Sequence, residues 1–158
     1  MTDRDIVNLF EQEHPKTVED IQSLGLSPRF LGAGCSRSAY KISKNLVVKI
    51  PNDPKSRYDL RQSASEISFL ETVHLSEDEE TKEITAHLMP LYYGNKETGV
   101  VVTRYYPDAI DECGKHHDEF NRLRSFFSGY GVGDMHSGNF RVTESGQLVA
   151  IDLGYSNI

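Results

Sequence analysis

The sequence predicts an α+β fold, an antiparallel sheet with helices packed on it. Two observations carry the prediction. Strand-like runs around residues 29–50 and 84–107 are joined by connections too short for parallel crossovers. Helical patterns stand before, between and after these runs instead of alternating with every strand. At 158 residues the chain has the length of one domain, enough to bury about two thirds of its unfolded surface.

Residues 3–24 read as one or two short helices, with Ile6, Val7, Leu9 and Phe10 on one side. Thr17 is an N-cap with Asp20 in the capping-box position, and Gly25 ends that helix. RFLGAGCSRSAYKISKNLVVKIPND reads as a strand, a Gly-containing turn, a strand through Ala39–Ile42, a tight turn at Lys44 and Asn45, and a strand Leu46–Ile50. Residues 57–75 read as a helix with Leu60, Ala64, Ile67, Leu70 and Leu75 in an apolar stripe. SEDEETKE is a charged, solvated connector. ITAHLMPLYYG and GVVVTRYYP read as two strands, with Pro90 marking a bulge or an edge. A last helix carries Phe120, Leu123, Phe126 and Phe127 on one face. A strand Phe140–Val142, the turn TESGQ and a strand Leu148–Ile151 close the pattern. The expected organisation is a helical segment, 1–28, ahead of one domain, 29–158.

Composition excludes several classes. The apolar runs are far shorter than a membrane span, and the mixed-charge N-terminus has no signal core, so a cytoplasmic protein without membrane attachment is expected. Cys35 and Cys113 make no disulfide framework, and no Cys/His spacing resembles a zinc site. A net charge of -7 argues against non-specific nucleic-acid binding.

The polar chemistry lies at four places. Gly32 and Gly34, with Ser36 in the same turn, allow a backbone to approach a ligand closely, and consecutive amides there can cradle an anion; the alternative is a plain turn. Lys49 stands inside an apolar strand, where it either faces solvent or reaches the phosphates of a nucleotide. Glu66 lies beside the apolar stripe of the following helix and can turn inward to hold Lys49; Glu71 competes for that role. Asp134, Asn139 and Asp152 form Asp-x-x-x-x-Asn, a hairpin and Asp-x-Gly, which brings a carboxylate and metal-binding oxygens to one end of a sheet.

Together these resemble the protein-kinase-like superfamily, with a catalytic loop similar to the aminoglycoside/choline-kinase type. LGAGCSRSAYKI resembles its Gly-rich loop, VVKI its lysine strand, GDMHSGN its HGDLHPGN-type loop and IDLG its metal-binding segment. The resemblance covers about residues 29–155. It implies a smaller lobe built on an antiparallel sheet with a helix, plus a much reduced second lobe. It implies ATP and Mg²⁺ as cofactors. Asp134 would be the catalytic base, Lys49 would hold α- and β-phosphates while paired to Glu66, and Asn139 and Asp152 would hold Mg²⁺. Leu31, Ala39 and Val47 would cover the adenine, with Thr103, Arg104, Tyr105 and Tyr106 as the hinge beside it. His136 would contact the γ-phosphate or support its loop.

Four departures stand out. Arg37 replaces the third glycine of the loop and could bind phosphate or block it. Val132 stands where a histidine is usual, and Arg141 where an apolar floor is usual. Nothing resembling a substrate platform follows DLGYSNI, so the expectation is a minimal core whose acceptor arrives by docking. The helices ahead of Arg29 would then cover the face a lost lobe leaves open. A contiguous apolar patch including some of Phe120, Phe126, Phe127 and Tyr155 would receive the partner.

The resemblance thus implies a phosphotransferase acting on itself, as a possible homo-oligomer, or on a protein substrate. The alternative is an inactive module that binds nucleotide or a regulatory protein partner and acts by occupancy. A small-molecule kinase is the weaker third reading. Compact chains of this type are often encoded by bacteriophages or bacteria, which implies a host-interaction role.

Overall fold

The structure is a computed structural model and describes residues 1–109, 116–132 and 136–153. The fold class is α+β. Two compact units divide the chain, Met1–Ile67 with Pro90–Tyr105 and Ser68–Met89 with Tyr106–Ile158.

The first unit is built on an antiparallel sheet of β1 (Arg29–Ala33), β2 (Arg37–Lys41), β3 (Leu46–Pro51), β4 (Leu91–Gly94) and β5 (Val101–Arg104), in the order β1-β2-β3-β5-β4. β3 lies in the middle and is buried along its whole length, which explains its run of Val and Ile. Strand alternation sorts its side chains. Leu46, Val48 and Ile50 join Val100, Val102 and Tyr93 in a core closed by Ile6, Phe10 and Ile21. Those last three come from α1 (Asp3–Glu13) and α2 (Val18–Ser23). The N-terminal helices therefore cover one face of this sheet. Both start with a capping box, Thr2 with Asp5 and Thr17 with Asp20, and Gly25 follows α2 at φ +87°. Asp3 also accepts from Ser43 Oγ at 2.9 Å and Asn45 Nδ2 at 3.3 Å, which ties α1 to the β2–β3 turn.

The opposite face carries Ala39, Lys49 and Val101 in one cross-strand row and Lys41, Val47 and Thr103 in the next. α3 (Arg57–Leu75) follows β3, and its residues up to Ile67 belong to this unit. Ile67 reaches Gly94 so closely that a Cβ there would stand 2.9 Å from its Cγ1.

In the second unit, the later part of α3 carries Phe69, Leu70 and Val73 inward. α5 (His117–Gly129) adds Phe120, Leu123 and Phe127. A small antiparallel sheet follows, β6 (Asp108–Ala109), β7 (Phe140–Val142) and β8 (Leu148–Ala150) in that order. Edge-on aromatic pairs bind the unit, Phe69 to Phe127 at 5.9 Å and Phe120 to Phe140 at 5.0 Å between ring centres.

Several expectations need correction. The acidic stretch 77–83 is no simple connector. It holds most of α4 (Glu79–Thr85), capped by Asp78, which accepts from the Thr81 amide, with Thr81 and Ile84 buried. The expected strand from 84 begins only at Leu91, because Ile84 is needed as an inward helical residue and Leu88 pairs with Ala150 in an isolated parallel bridge. Leu75 ends α3 at 83% exposure and leaves the apolar stripe. Phe120 and Phe127 are core residues, so they contribute no docking patch; Phe126 is half-buried against Tyr130, and Tyr155 lies outside the described residues.

Candidate functional site

In the first unit, helix geometry decides between the two candidate glutamates. Glu66 shares the inward face with Ile67 and Leu70, whereas Glu71 is exposed. Glu66 is fully buried, and Lys49 Nζ lies 3.3 Å from each of its carboxylate oxygens. Arg37, one strand over, meets the same carboxylate, Nη1 to Oε1 at 2.9 Å and Nη2 to Oε2 at 3.2 Å. The arginine that could bind or block phosphate is thus turned onto Glu66. Ser36 is buried, and its hydroxyl donates to Gln62 Oε1.

The turn carrying Gly32 and Gly34 is held from outside. The Gly34 amide donates to the Arg37 carbonyl at 2.8 Å, Asn52 Nδ2 donates to the Gly34 carbonyl at 3.0 Å, and the Asn52 amide donates to the Ser36 carbonyl at 2.8 Å. Neither glycine has positive φ. A Cβ on Gly32 would meet nothing within 4 Å, and one on Gly34 only the Arg37 carbonyl at 3.9 Å. Neither the turn nor the packing of this chain requires glycine at these positions. Leu31 sits at a register shift in β1 and is exposed, while Ala39 and Val47 share the sheet face of Lys49.

At the end of β5, Thr103 is buried and Arg104 is exposed. The Tyr105 amide donates to the Asn45 carbonyl at 2.7 Å, and Lys41 Nζ lies over the Tyr105 ring at 4.3 Å. The boundary between the two units falls between Tyr105 and Tyr106, within the expected hinge.

In the second unit, a short 3₁₀ turn, Ser137–Asn139, leads into β7. The Asn139 amide donates to the His136 carbonyl at 2.9 Å, and the Ile151 amide donates to the Asn139 carbonyl at 2.8 Å. The register Phe140↔Ala150 continues this pairing, so the hairpin places Asn139 across from Ile151 and beside Asp152. Asn139 is buried and Asp152 half-buried. His136 Nδ1 accepts from the Gly138 amide at 3.0 Å, which folds the ring over its own loop. A Cβ on Gly138 would stand 2.7 Å from His136 Cε1, so any other residue here must displace the His136 ring. Arg141 Nη1 donates to the Gly138 and Phe140 carbonyls at 2.9 and 2.8 Å and so braces the same loop. Asp134 lies outside the described residues.

Asn52 and Gln62, which no motif in the sequence marks, support the site through their side chains. Asp59, Gln62, Ser63 and Glu66 are all buried along one side of α3. That polar stripe at helical spacing is visible in the sequence beside the apolar one, and it extends the inward position of Glu66 to three further residues.

No protein-family model and no curated protein matches the chain. Among solved structures it is similar to the streptomycin–ATP–APH(2'')-IIa ternary complex, at 14% identity and TM-score 0.34, over 84% of this chain and 36% of that one. It is also similar to the ADP-bound aminoglycoside phosphotransferase APH(2'')-Ib, at 11% identity and TM-score 0.41, over 83% of this chain and 36% of that one. A third is the GDP complex of an aminoglycoside 2'-phosphotransferase-IIIa mutant, at 16% identity and TM-score 0.37, over 86% of this chain and 44% of that one. The chain spans less than half the length of each. Likeness at this level assigns no activity. Among the described residues, no helix is long and apolar enough to cross a membrane.

Proposed function

We propose that the chain is an ATP- and Mg²⁺-dependent phosphotransferase of kinase type, acting on a protein hydroxyl of a partner or of a second copy of itself. The observation that carries this reading is Lys49, buried on the central strand and held by the fully buried Glu66. A lysine in that place costs desolvation and side-chain entropy, and an apolar residue would pack better unless the charge is used. Gly32 and Gly34 support the reading, since open space at two glycines that the fold does not require suits close approach of a ligand.

In this reading Lys49 holds the α- and β-phosphates, Leu31, Ala39 and Val47 cover the adenine, and Arg104, Tyr105 and Tyr106 flank it. Asn139 and Asp152 present hard oxygen donors at adjacent places on one hairpin, a donor set that suits Mg²⁺. When bound, Mg²⁺ neutralises charge on the phosphate oxygens. The acceptor oxygen attacks the γ-phosphorus, the bond to the β–γ bridging oxygen breaks, and the hydroxyl proton passes to Asp134. The His136 ring, turned onto Gly138, supports the loop.

Purified protein incubated with γ-labelled ATP and Mg²⁺, alone and with lysate, should label itself or a protein, and Asp134→Ala should not. Asp152→Ala should abolish the Mg²⁺-dependent part of ATP binding in calorimetry. A Mg²⁺-dependent part that persists in Asp152→Ala would remove Asp152 from the site. One observation favours the second reading, a module acting by occupancy: the Tyr105 amide is already given to Asn45, which takes one donor from the segment beside the base. ATP binding without any labelling would select it.

A further inference from the structure

Glu66 takes two cations from two different strands. Lys49 alone would satisfy one buried carboxylate, yet Arg37 reaches it as well, through both guanidinium nitrogens. The arginine fork is the stronger of the two geometries, because its planar donors match the carboxylate and its charge is never lost. Its position is also fixed. The Arg37 carbonyl accepts from Gly34, and the preceding Ser36 hydroxyl is tied to Gln62, one helical turn before Glu66.

We propose that Arg37 is a positioning residue, a permanent second counter-ion that keeps Glu66 ionised and turned toward β3 when Lys49 shares its charge with an anionic ligand. With lysine as sole partner, a ligand drawing on its ammonium would leave a buried carboxylate under-neutralised, and ligand binding would work against that cost. With the fork in place, Lys49 reaches the ligand while still paired to Glu66, and the carboxylate stays neutralised. The fork also fastens the Gly-containing turn to α3, so a rotation carrying Glu66 away from β3 must break both ion pairs. The ligand-binding consequence rests on the nucleotide reading above; the two-counter-ion arrangement does not.

Urea unfolding of the full chain tests the arrangement without any ligand. Arg37→Met and Lys49→Met should each lower the midpoint modestly, and the double variant should lose more than the two shifts combined. Adding Glu66→Gln to the double variant should restore much of the loss, because the amide needs no counter-ion, and Arg37→Lys in the Lys49→Met background should recover part of it. Additive shifts, or no rescue by Glu66→Gln, would overturn the proposal. If the double variant does not fold, folding of the triple variant supports it and failure of the triple variant overturns it. Calorimetry with Mg²⁺ and ATP tests the consequence. Arg37→Met should weaken binding at least tenfold while Arg37→Lys keeps most of it, and unchanged affinity in Arg37→Met would overturn the positioning role. If wild type binds no ATP, the nucleotide reading fails and the unfolding cycle alone decides the counter-ion role.

Discussion

The two units hold their candidate residues by different means. In the first, side-chain charge fixes the geometry: Glu66 sits among Arg37 and Lys49, each reaching in from its own strand, and Gln62 and Asn52 bind the turn above them. In the second, the main chain fixes it: Asn139 is placed by its own amide and carbonyl, the hairpin register sets Asp152, and His136 folds onto a glycine amide. The reason lies in the sheets. The first has strands of four to six residues with a fully buried centre, where a charged group must be neutralised by another side chain. The second has strands of two and three residues packed on aromatic rings, and its polar groups sit at turns where backbone partners are at hand.

The largest effects should therefore come from different chemistry in each unit. Glu66→Ala strands two buried cations and should cost about 3–5 kcal/mol. Phe127→Ala empties a core position and should also cost about 3–5 kcal/mol. Denaturant unfolding measures both, and conservative replacements separate them: Phe127→Leu should recover much of its loss, whereas Glu66→Leu should not recover at all. Equal recovery would erase the distinction between the units.

Next in size is Gly138→Ala. The added methyl would displace the His136 ring and its hydrogen bond, at about 1–3 kcal/mol. His136→Ala combined with it should remove most of that penalty, and persistence of the full loss would mean the backbone, not the ring, sets the constraint.

Gly34→Ala sharpens the contrast from the other side. The fold should tolerate it within about 0.5 kcal/mol, since the methyl meets only one carbonyl at van der Waals distance. Under the nucleotide reading, ATP affinity should fall about tenfold, or about 1.4 kcal/mol. Stability lost with affinity intact would make this glycine structural.

The smallest effects lie at the helix caps. Thr17→Ala should cost about 1 kcal/mol. Asp5 and Asp20 in the first unit, and Asp78 in the second, are held below the ordinary aspartate value of 3.8. The main causes are hydrogen bonds from the backbone amides of Thr2, Lys16 and Thr81 respectively. Each depressed carboxylate stabilises the fold above that pH, and the contribution fades as the pH falls below it. Circular dichroism of an acid titration should show Asp5→Asn and Asp20→Asn reducing helix content at neutral pH and flattening its fall below pH 3.8.

Local pattern determined the α+β class, the three-strand meander, the long helix after it and the closing hairpin, because strand alternation and helical spacing are written in neighbouring residues. It also pointed to Lys49 with Glu66, since a charge in an apolar strand asks for a partner on the next element. Pattern failed where charge density concealed a helix. The acids of 77–83 read as solvent-exposed, yet Thr81 and Ile84 turn inward once α4 has something to pack against. It failed again at Leu75, which has helical spacing but stands exposed at the end of α3. Only tertiary structure decided which residues keep company across the sheet. From its place in the loop Arg37 could bind phosphate or block it. Its side chain goes to Glu66 because β2 lies beside β3 on the same face, a neighbourhood set by strand register and by nothing adjacent in the chain.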